Sequence, residues 1–142
     1  MKLILDSNII SKLLLNEPDS KEARNEVTNF LKKGYTLCTV DIGLAECLNV
    51  IWKHTNLLKD LKPEEARLAL EDLTKLCDGL TITSTRELKD EAMHIAITQN
   101  ITAYDALFIA TAQKANATLF TADKKLCAKT DKTIKIKLLT TE

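Results

Sequence analysis

Residues 101–126 read ITAYDALFIATAQKANATLFTADKKL. Thr102 can open a helix that runs through Asn116, and the short run Thr118 to Thr121 that follows is strand-like. Asp123 then precedes a helical turn over Lys124 to Lys129. Helix, strand and helix in so short a span are the repeating unit of a parallel sheet covered by helices. Working toward the amino terminus, the same alternation recurs. A helix is expected from about Thr85 to Gln99. Another runs from Pro63 to Gly79, with Ala66, Leu70, Leu73 and Leu76 at helical spacing, and the β-branched run Leu80 to Thr83 lies between the two. Asp41 reads as the cap of a long helix to about His54, with Ile42, Ala45, Leu48, Ile51 and Trp52 as its apolar stripe, and Thr36 to Val40 is β-rich ahead of it. Asp19 or Ser20 is placed to cap a helix carrying Ala23, Val27, Phe30 and Leu31 on one face until Gly34. Ile9 to Leu15 is helical, and KLIL at 2–5 is a strand. At the other end, TIKIKLL at 133–139 alternates apolar and basic side chains as a half-buried edge strand would. The order β-α-α-β-α-α-β-α-α-β-α-β predicts a single-domain α/β/α sandwich over 1–142, built on a central, mainly parallel sheet of four or five strands. Its working site is expected outside the carboxyl ends of the strands.

Composition agrees with that frame. In 142 residues, apolar side chains make up 45% and charged ones 28%, with three Gly and two Pro, which describes a helix-rich globule and excludes a disordered chain. No apolar stretch approaches the roughly 20 residues of a membrane-spanning helix. The start MKLILDSNII has no leader pattern, so a cytoplasmic location is expected. Cys38, Cys47, Cys77 and Cys127 are scattered singly, without zinc-finger spacing, and read as buried free thiols. Twenty basic residues balance twenty acidic ones, so the total charge does not advertise nucleic-acid binding.

Most acids lie in charged helix segments, where a solvated face explains them. Four do not. Asp6 ends the first strand, Glu46 sits inside the apolar run GLAECLNV, Asp105 lies in AYDALFIA, and Asp123 follows the strand LFTA. Singly, each of three has a plain structural reading: Asp6 can close a turn with Ser7 and Asn8, Thr102 and Asp105 can form a capping box, and Asp123 can cap the next helix. Glu46 has no capping role, which leaves a salt bridge to Lys53 or snorkelling as its plain alternatives. Together at one sheet edge, four carboxylates repel one another unless a divalent cation lies among them, and an all-oxygen set suits Mg²⁺ or Mn²⁺. Phosphodiester hydrolysis is the chemistry such a set serves best.

LDSNII, GLAECLNVIW, ITAYDALFIATA and LFTADKKL resemble, in order and spacing, the four acidic motifs of the PIN domain family, and the chain as a whole looks like a VapC-type toxin. The resemblance implies that Asp6, Glu46, Asp105 and Asp123 occupy metal-binding positions, with Ser7, Asn8 and Thr121 supporting the metal or its water. It further implies hydrolysis of an RNA phosphodiester by metal-activated water, a small cognate antitoxin that holds the toxin inactive, and pairing as a homodimer. Asp6 and Asp105 are the leading direct ligands; Glu46 and Asp123 complete the shell. Residues 124–137 hold six lysines against Asp131 alone. Lys124 and Lys125 among them, and Lys12 near Asp6, are candidates for RNA contact. His54 and His94 lack ligand-spaced partners, and Trp52 and Phe108 read as core. The rival reading is a non-catalytic PIN-like scaffold for RNA binding or interaction. An aspartyl phosphatase is excluded because Asn8 stands where a second Asp is needed.

Overall fold

The computed structural model describes residues 1–140. Five strands, β1 (Lys2–Leu5), β2 (Thr36–Val40), β3 (Thr81–Thr83), β4 (Thr118–Thr121) and β5 (Ile136–Leu138), form one sheet in the order β3-β2-β1-β4-β5. All four pairings are parallel, with Leu3 opposite both Leu37 and Thr118. Helices α1 (Ser7–Leu14), α2 (Ser20–Lys32), α3 (Asp41–Trp52) and α4 (Pro63–Asp78) precede β3, and α5 (Thr85–Gln99), α6 (Ala103–Ala115) and α7 (Lys124–Lys129) follow it. The expected sandwich and parallel sheet are therefore found.

Period-two alternation along the strands divides the core. Leu3, Leu5, Leu37 and Phe120 face α1 to α4, whereas Ile4, Cys38, Val40 and Leu119 face α5 and α6. The central strand β1 is apolar on both sides, with Leu3, Ile4 and Leu5 wholly buried, as a strand flanked by parallel neighbours and covered on both faces must be. Helix α6 is buried without a break from Ala106 to Ala112 and is the central helix of its layer. Among the described residues no helix is long and apolar enough to cross a membrane.

Several local expectations are corrected. Helix α3 buries Gly43, Cys47 and Ile51, the last against Leu15 and Ala69, while Ala45 is exposed and Leu48 and Trp52 are 50% and 49% exposed. The reason is clearance: a Cβ at Gly43 would lie 3.0 Å from Thr39 Oγ1 and 3.4 Å from the Phe108 ring, so only small residues fit where α3 approaches the sheet. Asp41 does not cap α3. It accepts instead from the backbone N–H and hydroxyl of Thr85, and these donors outweigh burial and hold its pKa below the ordinary carboxylate range. Asp19 stands at the start of α2 without a side-chain cap bond, while the Ser20 hydroxyl accepts from Glu17 N–H and donates to the Leu15 carbonyl. Leu31 and Leu70 are exposed, and Ala69 takes the buried place on α4. Beyond Trp52 the chain tightens into no new α turn but widens into a π-helical segment, Lys53–Leu57, with Leu58 N–H bonded to the Lys53 carbonyl. Strand β5 is a half-buried edge, and its Lys137 pairs with Glu26 at 3.4 Å.

Candidate active site at the carboxyl edge of the sheet

Adjacent strands β1 and β4 end at one point, and the residues that follow them build the site. Asp6, 5% exposed, is the cap of α1: its Oδ1 accepts from Ser7 N–H at 2.8 Å. Its Oδ2 accepts from the Thr121 hydroxyl at 2.6 Å and from Asn8 Nδ2 at 3.3 Å. Thr121 Oγ1 in turn accepts from Asp123 N–H at 3.0 Å, and Asn8 Oδ1 accepts from Ala122 N–H at 3.0 Å. Asn8 and Thr121 thus lock the two strand ends together around one carboxylate. Ser7, Asn8 and Thr121 all stand beside Asp6, as expected.

Burial is the main cause that pushes the Asp6 pKa up to about 6; the Thr121 and Ser7 hydrogen bonds draw it back, and the charges of Asp105 and Glu46 add to the rise. Glu46, in the second turn of α3, is raised by burial and by Asp105, with the Ser7 hydroxyl opposing. Its Oε1 is buried without a hydrogen-bond partner. Neither a salt bridge to Lys53 nor snorkelling describes it. Asp105 is raised by burial and then by Asp123, against the opposing pull of Thr102 and Lys129. The four predicted acids therefore feel one another: Asp6, Glu46 and Asp105 mutually, and Asp105 with Asp123. They do not close on a single point. Among the described residues no three of His, Cys, Asp and Glu converge tightly enough to form a ready-made cage.

The plain structural roles coexist with this. Thr102 Oγ1 accepts from Asp105 N–H at 3.1 Å, but no reciprocal bond from the Asp105 carboxylate completes the capping box. Asp123 caps α7 with Oδ1 alone, accepting from Lys125 and Leu126 N–H at 3.0 and 3.1 Å. A cap that uses one oxygen leaves the other for a ligand. The donor set fits Mg²⁺ or Mn²⁺: it is all oxygen, it repels itself, and the buried Oε1 of Glu46 lacks a partner.

Other candidates separate. Lys12 Nζ donates to the Pro18 carbonyl at 3.1 Å. Lys124 and Lys125 are exposed on the first turn of α7. Lys129, which the sequence reading passed over individually, lies one turn beyond Lys125, and both line a cleft shared with Asp105 and Asp123. His54 bridges Asp60 at 2.8 Å and Glu17 at 3.4 Å, outside the cluster, and His94 is exposed. Phe108 is core, but Trp52 is not. All four cysteines are free, but only Cys38 and Cys47 are buried, Cys77 and Cys127 being half-buried; the Cys47 thiol, pushed up to about 12 by burial and then by Glu46 and Asp6, is inert.

A family model described as the PIN domain matches residues 3–132. Ribonuclease VapC3 of Pyrobaculum aerophilum is 32% identical over 131 residues, covering 91% of this chain and 95% of that protein. VapBC2 from Rickettsia felis, solved bound to a DNA fragment from their promoter, matches with a TM-score of 0.67 at 21% identity, over 97% of this chain and 98% of that one. A toxin-antitoxin complex from Klebsiella pneumoniae matches with a TM-score of 0.59 at 18% identity, over 89% and 90%. At such identities the solved structures speak for the fold alone. The family model and the ribonuclease relative, each spanning nearly the whole chain, go further: this protein belongs to the PIN domain family.

Proposed function

We infer that the protein is a Mg²⁺- or Mn²⁺-dependent endoribonuclease and the toxin of a type II toxin-antitoxin pair. The observation that carries this reading is the unsatisfied, buried Glu46 Oε1 within a run of three carboxylates whose pKa values are all raised. A scaffold gains nothing from that repulsion, whereas a phosphodiesterase needs it to collect a cation. Asp6 and Asp105 would hold the ion directly, with Glu46 and Asp123 completing the shell through water or a second ion. When bound, the ion supplies a water of lowered pKa and charge to offset that growing on the phosphoryl oxygens.

The chain's own residues do the rest. Thr121, Ser7 and Asn8 fix the Asp6 carboxylate so that no reorganisation is needed at the moment of reaction. Buried strand ends behind it exclude water on that side. The ribonuclease relative supports RNA as substrate, and the toxin-antitoxin neighbour supports an antitoxin as partner. A homodimer and a cytoplasmic location complete the proposal.

The test is incubation of the purified protein, freed of any antitoxin, with total RNA and either ion, followed by mapping of cut ends. Internal cuts that appear with metal and vanish with chelator are expected. RNA left intact with both ions overturns the reading.

A further inference from the structure

Beside Asp105 and Asp123 lies a cleft of about 400 Å³, within the range of small-ligand sites. One wall is α7, and the other is the turn between α5 and α6. Resting on the ribonuclease reading above, we propose that this cleft is a subsite for one nucleotide flanking the scissile phosphate. Lys125 and Lys129 take its phosphate, Ile101 and Leu126 support its base, and Asn100 reads the base edge.

Charge gives the first reason. Lys125 and Lys129 are four residues apart on α7, hence on one face. Among the described residues neither ammonium makes an ion pair, although lysines elsewhere pair with Asp90, Glu87 and Glu26. Cations placed only to neutralise the acids would be bonded to them. These instead line the cleft on α7 with their ammonium groups free among the described residues, Lys129 near enough to influence Asp105 on α6. An RNA strand approaching four carboxylates needs opposite charge on its own side of the site, and two unpaired ammonium groups supply it.

Shape and chemistry give the second. Leu126 is buried and Ile101 half-buried, so the cleft has an apolar floor against which a base face can lie. At its rim, Asn100 ends α5 in the left-handed region at φ 51°, a conformation glycine adopts freely. An asparagine there presents both an amide donor and a carbonyl acceptor, the pair that hydrogen-bonds base edges in single-stranded RNA.

The test uses a single-stranded RNA oligonucleotide containing one cut site mapped for the wild type, with Mn²⁺. Lys129→Gln should lower kcat/KM about tenfold, mainly through KM, and flatten the salt dependence by about one unit of log–log slope. Lys129→Arg should restore most of both. Asn100→Gly keeps the left-handed turn and deletes the amide, so it should relax base preference at one position beside the cut. Melting temperatures should stay close to wild type, which separates these effects from misfolding. If the wild type cuts while all variants keep its KM, salt slope and cut-site preference, the subsite is overturned and the ribonuclease stands. If the wild type cuts no RNA with either ion, both fall.

Discussion

Asp6 meets two opposed demands in one side chain. Its place behind β1 excludes water and raises its pKa to about 6, while Thr121, Ser7 and Asn8 aim donors at the charged form. A carboxyl raised in the native state favours the protonated form. In metal-free protein its contribution to stability is thus present below the unfolded pKa and lost as pH rises through about 6. Asp6→Asn, neutral throughout, should make metal-free protein more stable than wild type near pH 7.5 by roughly 1–3 kcal/mol, with the gap closing near pH 4. It should also abolish cleavage. Urea denaturation in chelator at both pH values checks the sign; a variant weaker than wild type at the higher pH would mean that the hydrogen bonds outweigh burial. Asp105→Asn keeps the Thr102 cap on its backbone and, by removing a raised and repelled charge, should hold or lift the melting temperature of metal-free protein near pH 7.5 while costing ~10²-fold or more in cleavage rate. Retained activity there would reduce Asp105 to a helix-end residue. The four acids were legible because a carboxylate among apolar neighbours or at a strand end is conspicuous. Lys129 was hidden among six lysines in one run.

At the scale of elements, strands and helix existence were readable because buried parallel strands are short apolar runs and the helices between them are periodic. What failed was the choice of contact face. Counting large apolar residues assigned Leu48 and Trp52 to the core of α3, but the sheet accepts only the small stripe of Gly43 and Cys47, ahead of Ile51. Asp41 was misread for a related reason: its partner, Thr85, is 44 residues away, and no local signal announces it. The close approach of α3 has a measurable corollary. Gly43→Ala places a methyl 3.0 Å from Thr39 Oγ1, whose hydroxyl already donates to the Leu5 carbonyl and cannot yield freely. Stability should fall by ~1–3 kcal/mol. Because α3 carries Glu46, cleavage at a temperature where the variant remains folded should fall as well. A variant as stable and as active as wild type would show that α3 can shift without cost.

For the molecule as a whole, self-repelling carboxylates make the ion a stabiliser of the native state. The melting temperature should climb with Mn²⁺ as the site saturates, equivalent to ~2.7 kcal/mol at a hundredfold excess over the dissociation constant, and Glu46→Gln should blunt the rise. An unchanged melting temperature across millimolar Mn²⁺ would argue against a site in the folded protein. The sheet order has a different consequence, one of timing. Asp6 and Thr121 are 115 residues apart in the chain yet share a hydrogen bond, because β1 takes its second neighbour from β4. During synthesis, at roughly 5–20 residues per second, Asp6 emerges well before β4 and has nothing to set beside it until that strand has left the ribosome. The carboxylate cluster can therefore assemble only once β4 is free to pair with β1, however early the helices between them form.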